Sequence, residues 1–127
     1  MLYLFLAIGG VLGTLARYGL GGWIHGWAGT SLPWGTLAVN LIGSFVLGFA
    51  MRGAEILPVT PEVRGLITVG FCGAFTTFST FMYETAGLMQ NGEWARAGVY
   101  AVGSLALGLA SMALGLSAAT VLTRIGG

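Results

Sequence analysis

Residues 70–81 read GFCGAFTTFSTF, an uncharged stretch that combines glycines, hydroxyl side chains and phenylalanines. Gly70, Gly73 and the β-branched pair Thr76 and Thr77 make the centre of this segment a poor helix. A helix interruption at membrane depth frees carbonyl groups on one side and amide groups on the other. Freed carbonyls can hold a cation such as Na⁺, and the N-terminus of the following half-helix favours an anion. The stretch therefore has the chemistry to bind ions of both signs.

The second half of this stretch carries an aromatic and hydroxyl pattern. Phe78 and Phe81 lie one helical turn apart, and Ser79 and Thr80 lie on adjoining faces. An aromatic ring is negative on its faces and positive at its edge. Ring edges and hydroxyls can contact a small anion without a full countercharge, which is the balance that conduction requires. The alternative is that these residues only pack helices together.

A polar stripe precedes this stretch in WGTLAVNLIGSFVLG, where Thr36, Asn40, Ser44 and Gly48 follow one another at steps of four. Residues four apart share one helix face. A buried amide needs hydrogen-bond partners, so Asn40 either joins helices or offers its NH₂ group to a solute. Both alternatives remain open from the sequence.

Two ionisable residues lie within apolar segments, where charges are costly and often functional. Arg17, in GGVLGTLARYGLGG, either extends to the membrane interface or draws anions into a vestibule. Glu84, three residues after Phe81, is either an interfacial carboxylate or a polar member of a permeation path.

The elements that must position these residues are membrane spans. The chain has 127 residues, of which 56% are hydrophobic and only 7% charged, whereas a soluble domain is about one quarter charged. Apolar segments of about 20 residues cross a bilayer. The sequence predicts an all-α membrane protein, one domain over residues 1–127, with spans at about 2–23, 34–51, 64–89 and 97–123, the third broken near its centre.

The arginines predict no clear preference for one orientation of the chain in the membrane. Four spans place Arg52, Arg64 and Arg124 on one side of the membrane, and Arg17 and Arg96 on the other. Because positive residues in short loops set orientation, this near balance predicts insertion in both directions and an antiparallel, dual-topology homodimer. Small residues spaced four apart support close helix packing but do not identify the partner helix. They are the pairs Gly9 and Gly13, Ser44 and Gly48, Ser104 and Gly108, and Ser111 and Gly115.

Residue types needed for other functions are missing from the sequence. His25 is the single histidine, there is no aspartate, and Cys72 is the single cysteine, interpreted as a small core residue. An acid–base catalyst or a metal-dependent enzyme needs a cluster of such side chains. The glycines form no nucleotide-binding fingerprint. The protein is therefore predicted not to be an enzyme, and no nucleic-acid partner is expected.

Three segments resemble the Fluc (CrcB) fluoride channels: GGVLGTLARY, GTLAVNLIGSF, and GFCGAFTTFSTF with Glu84 after it. The similarity extends over essentially the whole chain. It implies a passive channel in the cell (plasma or inner) membrane that lets F⁻ leave the cytoplasm and so limits fluoride toxicity. It also implies an antiparallel homodimer with two pores.

The resemblance also implies roles for individual residues. The fluoride path would be lined by Asn40, Phe78, Ser79, Thr80, Phe81, Glu84, Tyr100 and Ser104, with Arg17 near the vestibule. Gly73 and Thr76 would offer main-chain oxygens to a structural Na⁺ that is not transported. The family often has a second serine one turn after the position of Ser104, whereas Gly108 stands here.

Two other functions are less consistent with the residues. Small multidrug or guanidinium exporters also have four short spans, but they need an acidic residue deep in the first span, where this chain has Arg17 and no acid. A non-transporting scaffold has no use for the hydroxyl and aromatic run. The fluoride channel is thus the expectation.

Overall fold

The computed structural model describes residues 1–126 and is helical throughout. Its elements are α1 (Leu2–Ala28), α2 (Trp34–Ile56), α3 (Pro61–Gly65), a π-helical segment (Leu66–Cys72), α4 (Gly73–Phe75), α5 (Ser79–Gln90) and α6 (Trp94–Gly126). Four stretches are long and apolar enough to cross a membrane, the third being Pro61–Gln90. The prediction of an all-α protein with four spans agrees with this architecture.

The helices extend beyond the spans expected from hydropathy. The first continues from the expected end at residue 23 to Ala28, and the second from residue 51 to Ile56. The last helix has 33 residues, or about 50 Å at 1.5 Å per residue, against a hydrocarbon layer of about 30 Å. Hydropathy locates the part of a helix that crosses hydrocarbon. It does not register the end turns of a helix, where Trp27 and Trp94 lie exposed, and tryptophan is typical of membrane interfaces.

Small residues let α1 lie directly on the first half of the third span. A Cβ atom at Gly9 would meet the carbonyl oxygen of Leu66, and one at Gly70 would lie 2.7 Å from the carbonyl oxygen of Leu6. Both positions need glycine because backbone meets backbone there. The Gly9 and Gly13 pair predicted from the sequence therefore packs within the chain.

The second large contact joins α2 to α6. A Cβ atom at Gly48 would lie 2.6 Å from the carbonyl oxygen of Met112, and one at Gly115 would meet the carbonyl oxygen of Phe45. Gly108 has open space beside it, because no atom of another described element lies within 4 Å of the point where its Cβ would be. The pairs ending at Gly48 and Gly115 thus also pack within the chain, whereas Gly108 does not.

Residues 76–78 of the third span are not helical. Gly73 keeps right-handed helical angles, with φ −62° and ψ −36°, and the backbone becomes extended at Thr76, with φ −86° and ψ 159°. The departure from helix therefore begins at the threonines and not at Gly73. Glycine permits a break in a helix but does not require one, so Gly73 keeps helical angles. We call residues 76–78 the interruption.

Candidate functional site

The interruption is held by its own hydroxyl groups at both ends. The main-chain N–H and Oγ1 of Thr76 both donate to the carbonyl of Cys72, at 3.0 and 2.9 Å. Oγ1 of Thr77 accepts from the main-chain N–H of Thr80 at 3.2 Å, as a capping side chain does at a helix start. The two threonines that weaken helix propensity thus close the first half-helix and open α5.

Asn40 on α2 binds the backbone of the interruption. Its Oδ1 accepts from the main-chain N–H of Thr77 at 2.8 Å, and its Nδ2 donates to the carbonyl of Thr77 at 3.2 Å. The side-chain amide therefore substitutes for the peptide groups that a continuous helix would supply. Of the two alternatives left open by the sequence, the structure shows the helix-joining one, and it leaves one Nδ2 proton free of this pair.

Arg17 lies well inside α1, 11 residues before Ala28, or about 17 Å along the helix axis. The sequence places it only one or two turns from the helix end, because the extension of α1 beyond residue 23 is not visible in hydropathy. Its Nε donates to the carbonyl of Ala74 at 3.1 Å. A charged group within a spanning helix is costly unless it is partnered, and this bond supplies a partner.

Glu84 accepts a hydrogen bond on each carboxyl oxygen. Oγ1 of Thr36 donates to Oε2, and the hydroxyl of Tyr100 donates to Oε1, each at 2.9 Å. Thr36 belongs to the polar stripe of α2, but the sequence gives no signal that pairs it with a carboxylate 48 residues away. Glu84 is thereby fixed between α2, α5 and α6.

The aromatic side chains form a chain of edge contacts. The rings of Phe78 and Phe81 are 6.4 Å apart at an interplanar angle of 78°, and those of Phe81 and Tyr100 are 5.0 Å apart at 85°. Phe81 is 6% exposed and Tyr100 2%, whereas Phe78 is 73% exposed. Edge-on geometry orients positive ring edges across the neighbouring ring faces, with Phe78 at the surface of the single chain.

Two cavities reach the interruption, and Thr77 lines both. The first, which we call the Arg17 cavity, has a volume of about 530 Å³ and is lined in part by Arg17, His25, Thr36, Thr80 and Glu84. The second, the Ser104 cavity, has a volume of about 380 Å³ and is lined in part by Asn40, Ser44, Thr76, Phe78, Phe81, Ser104 and Gly108. The predicted site residues thus divide between two spaces that share Thr77 as a lining residue.

The hydroxyl of Ser104 is buried and has no hydrogen-bond partner within residues 1–126. An unpaired buried hydroxyl is costly, and this one belongs to a residue that lines a cavity. Gly108, one turn further along α6, lines the same cavity without a polar side chain. Ser104 is thus a lining residue of the cavity whose hydroxyl is left without a partner by residues 1–126.

Three predicted site residues lie outside both cavities. Ser79 is exposed, Tyr100 is buried beside Glu84, and Gly73 is exposed with no atom within 4 Å of where a side chain would begin. Two residues not assigned to the site by the sequence join it. Thr36 holds Glu84, and Thr77 connects α2 to both cavities.

Comparison with known proteins shows that the chain matches a protein family. The chain matches a family model described as "CrcB-like protein, Camphor Resistance (CrcB)" over residues 4–116. A protein of Thermus thermophilus named "Fluoride-specific ion channel FluC" is 49% identical over 113 residues, covering 89% of each chain. Proteins of the same name from Acidobacterium capsulatum and Opitutus terrae are 45% and 42% identical, covering 91% and 99% of this chain and 94% and 98% of their own.

Proposed function

The chain belongs to the CrcB-like family, and from this we propose that it is a fluoride-selective channel through which F⁻ leaves the cytoplasm down its gradient, limiting fluoride toxicity. Its four spanning helices and channel relatives make it a multi-pass protein of the plasma membrane, as predicted. Relatives named as ion channels also bear out the prediction that it is not an enzyme.

The observation that carries the proposal is the lining of the Ser104 cavity. Phe78 and Phe81, which meet edge to face, Asn40 with its free Nδ2 proton and Ser104 with its unpaired hydroxyl are all lining residues of one space. Each of these side chains has a positive or hydrogen-bond-donating edge, and none carries a full charge. Such a lining stabilises a small anion enough to enter and not so strongly that it stays.

The Arg17 cavity supplies the charged approach to this space. The Nε of Arg17 is bound to Ala74, and the guanidinium makes no other hydrogen bond within residues 1–126. Its positive charge raises the local concentration of anions in the cavity. Thr80 and the hydroxyl-bound Glu84 also line this cavity, where they would continue the polar path.

A structural Na⁺ is part of the proposal, and the chain's own oxygens fit one. In a continuous helix the carbonyls of Gly73 and Thr76 would accept from the amides of Thr77 and Thr80. Those amides donate instead to Asn40 and to Oγ1 of Thr77. Carbonyl oxygens of this kind are ligands for hard cations. Gly73 is exposed and surrounded by open space, so its oxygen is not enclosed by this chain.

We further propose that a second, antiparallel copy completes the site. Two carbonyls from each copy would give Na⁺ four oxygens on the symmetry axis, and the copy would cover the exposed ring of Phe78. The near balance of arginines on the two sides of the membrane supports insertion in both directions. Each of the two pores would then combine residues from both copies.

The test uses purified protein in liposomes loaded with KF or with KCl, with anion efflux started by valinomycin. We expect rapid fluoride efflux and chloride efflux no faster than in protein-free liposomes. An absence of fluoride efflux from folded, reconstituted protein, or equal efflux of the two halides, would overturn the proposal.

A further inference from the structure

We infer that Arg17 and Asn40 are positioning residues for a cation site at the interruption. They bind the carbonyls of Ala74 and Thr77, and the carbonyls of Gly73 and Thr76 stay free to bind a cation. The inference rests on the Na⁺ site proposed above. It adds to the vestibule and ion-path roles expected for these two residues, because it concerns their hydrogen bonds to main-chain carbonyls.

Arg17 acts from α1 together with a glycine one turn before it. A Cβ atom at Gly13 would meet the carbonyl oxygen of Phe71 and lie 3.1 Å from Cβ of Ala74. The absent side chain lets α1 approach the end of the first half-helix closely enough for Nε of Arg17 to reach the carbonyl of Ala74 at 3.1 Å. In a continuous helix that carbonyl would accept from the amide of Phe78, which lies in the interruption.

Asn40 acts from α2 with a glycine almost one turn after it. A Cβ atom at Gly43 would meet Cγ2 of Thr76 and lie 3.1 Å from the ring of Phe75. The glycine seats α2 against the extended residue, and Asn40 then takes both the N–H and the carbonyl of Thr77. In both helices, a glycine allows close packing and a nearby polar side chain binds a main-chain carbonyl.

The carbonyls on which this inference rests therefore fall into two groups. The carbonyls of Ala74 and Thr77 are bound by side chains, whereas those of Gly73 and Thr76 have lost their helical amide partners. A bound carbonyl is fixed in direction and has less capacity to compete for a cation. The N–H of Thr77, which Asn40 binds, shares its peptide plane with the Thr76 carbonyl, and the Gly73 carbonyl lies one peptide before the bound carbonyl of Ala74. The two contacts thereby preorganise the two free oxygens.

If Arg17 acts through its charge, replacing it should change Na⁺ affinity in one direction, and if it acts through its hydrogen bond, in the opposite direction. A guanidinium near a cation site repels the cation, so if Arg17 acted only through its charge, removing the charge would tighten Na⁺ binding. If Arg17 holds the carbonyl of Ala74, removing it loosens the site and weakens Na⁺ binding. The direction of the change therefore distinguishes the two roles.

The experiment measures the Na⁺ concentration that gives half of the maximal rise in melting temperature of the detergent-purified protein. N-methylglucamine chloride replaces NaCl at constant ionic strength. We expect Arg17→Gln and Asn40→Leu to need about tenfold more Na⁺, the factor that corresponds to about 1.4 kcal/mol of binding free energy. Arg96→Gln, which removes an exposed arginine whose ion pair within residues 1–126 is with Glu93, should match the unmodified protein.

An unchanged or lower Na⁺ requirement in Arg17→Gln and Asn40→Leu would overturn the inference, as would an equal shift in Arg96→Gln. If either test variant does not fold, Arg17→Lys or Asn40→Gln is measured in its place and must show the same direction of shift. If the unmodified protein gains no stability from Na⁺, the proposed cation site fails and this inference with it. Fluoride efflux from the same preparation then shows separately whether the channel proposal stands.

Discussion

At the scale of single residues, polar side chains within the spans form hydrogen bonds with other parts of the chain. Asn40 and Arg17 each bind a main-chain carbonyl, and both oxygens of Glu84 accept hydroxyl protons. The hydrocarbon of the membrane explains this pairing, because a polar group without a hydrogen-bond partner there costs several kcal/mol. The hydroxyl of Ser104 has no partner within residues 1–126 and the ring of Phe78 is exposed, and both residues line the same cavity.

The phenylalanines provide a test at this scale. Phe81→Ile keeps an apolar side chain but removes the positive ring edge, so we expect fluoride efflux to fall by about tenfold, equivalent to about 1.4 kcal/mol of lost anion stabilisation. Phe78→Ile should act in the same direction. Efflux of fluoride from liposomes is the measurement, with size-exclusion chromatography to check that assembly is unchanged.

Phe45→Ile is the matched control, because this ring stacks on Phe49 and lies outside both cavities. It should keep the flux of the unmodified protein. Normal flux in both Phe78→Ile and Phe81→Ile would mean that these rings only pack helices.

At the scale of helices, close backbone approach decides the architecture. α1 lies on the first half of the third span through Gly9, Gly13 and Gly70, and α2 lies on α6 through Gly48 and Gly115. In lipid, apolar surface gains little by leaving its surroundings, so van der Waals contact between small residues holds helices together. The interruption depends on this packing, since Asn40 and Arg17 reach it only from helices that lie close.

Gly115→Ala tests the contact of α2 with α6. The added Cβ atom would meet the carbonyl oxygen of Phe45 and lie 3.0 Å from the amide nitrogen of Phe49. We expect a loss of about 1–3 kcal/mol of stability, as for other overpacked sites, measured as a lower melting temperature. Gly103→Ala on the same helix has no atom within 4 Å in residues 1–126 and should not be destabilised. Equal melting temperatures for the two variants would contradict the packing described.

At the scale of the whole molecule, the proposal requires two copies in opposite orientations. Phe78 and Gly73 are exposed in the single chain although both belong to the proposed ion sites. A single chain would leave the Gly73 carbonyl facing lipid, where a polar group without a partner is unfavourable. A second copy would turn both exposures into contacts.

Orientation can be biased by charge. A reporter fused to the C-terminus should read on both sides of the membrane for the unmodified chain, because the arginines are nearly balanced. Adding two lysines to the joint between α2 and α3 should shift the reporter to one side and lower fluoride efflux, since antiparallel pairs become rare. Co-expression with a chain carrying the lysines in the joint between α5 and α6 should restore efflux. A reporter that reads wholly on one side in the unmodified chain would contradict dual topology.

Much of this protein was predictable from the sequence because membrane spans are encoded locally. The apolar runs predicted four helices, the threonine and glycine run marked residues 70–81 as unusual, and the steps of four on α2 placed Thr36, Asn40 and Ser44 on one face. Each of these follows from composition or helical period, which are properties of neighbouring residues. Helix ends were less accessible, because they lie where hydropathy no longer discriminates.

The tertiary structure decided which polar atoms meet. Nothing in the sequence pairs Thr36 with Glu84, Asn40 with Thr77 or Arg17 with Ala74, since these contacts span 48, 37 and 57 residues. They depend on the distance and rotation between helices, which glycine contacts set in three dimensions. The sequence by itself determined that 70–81 would be a weak point in a membrane helix, and the packing of α1 and α2 determined that the chain opens at Thr76 and which carbonyls it leaves free.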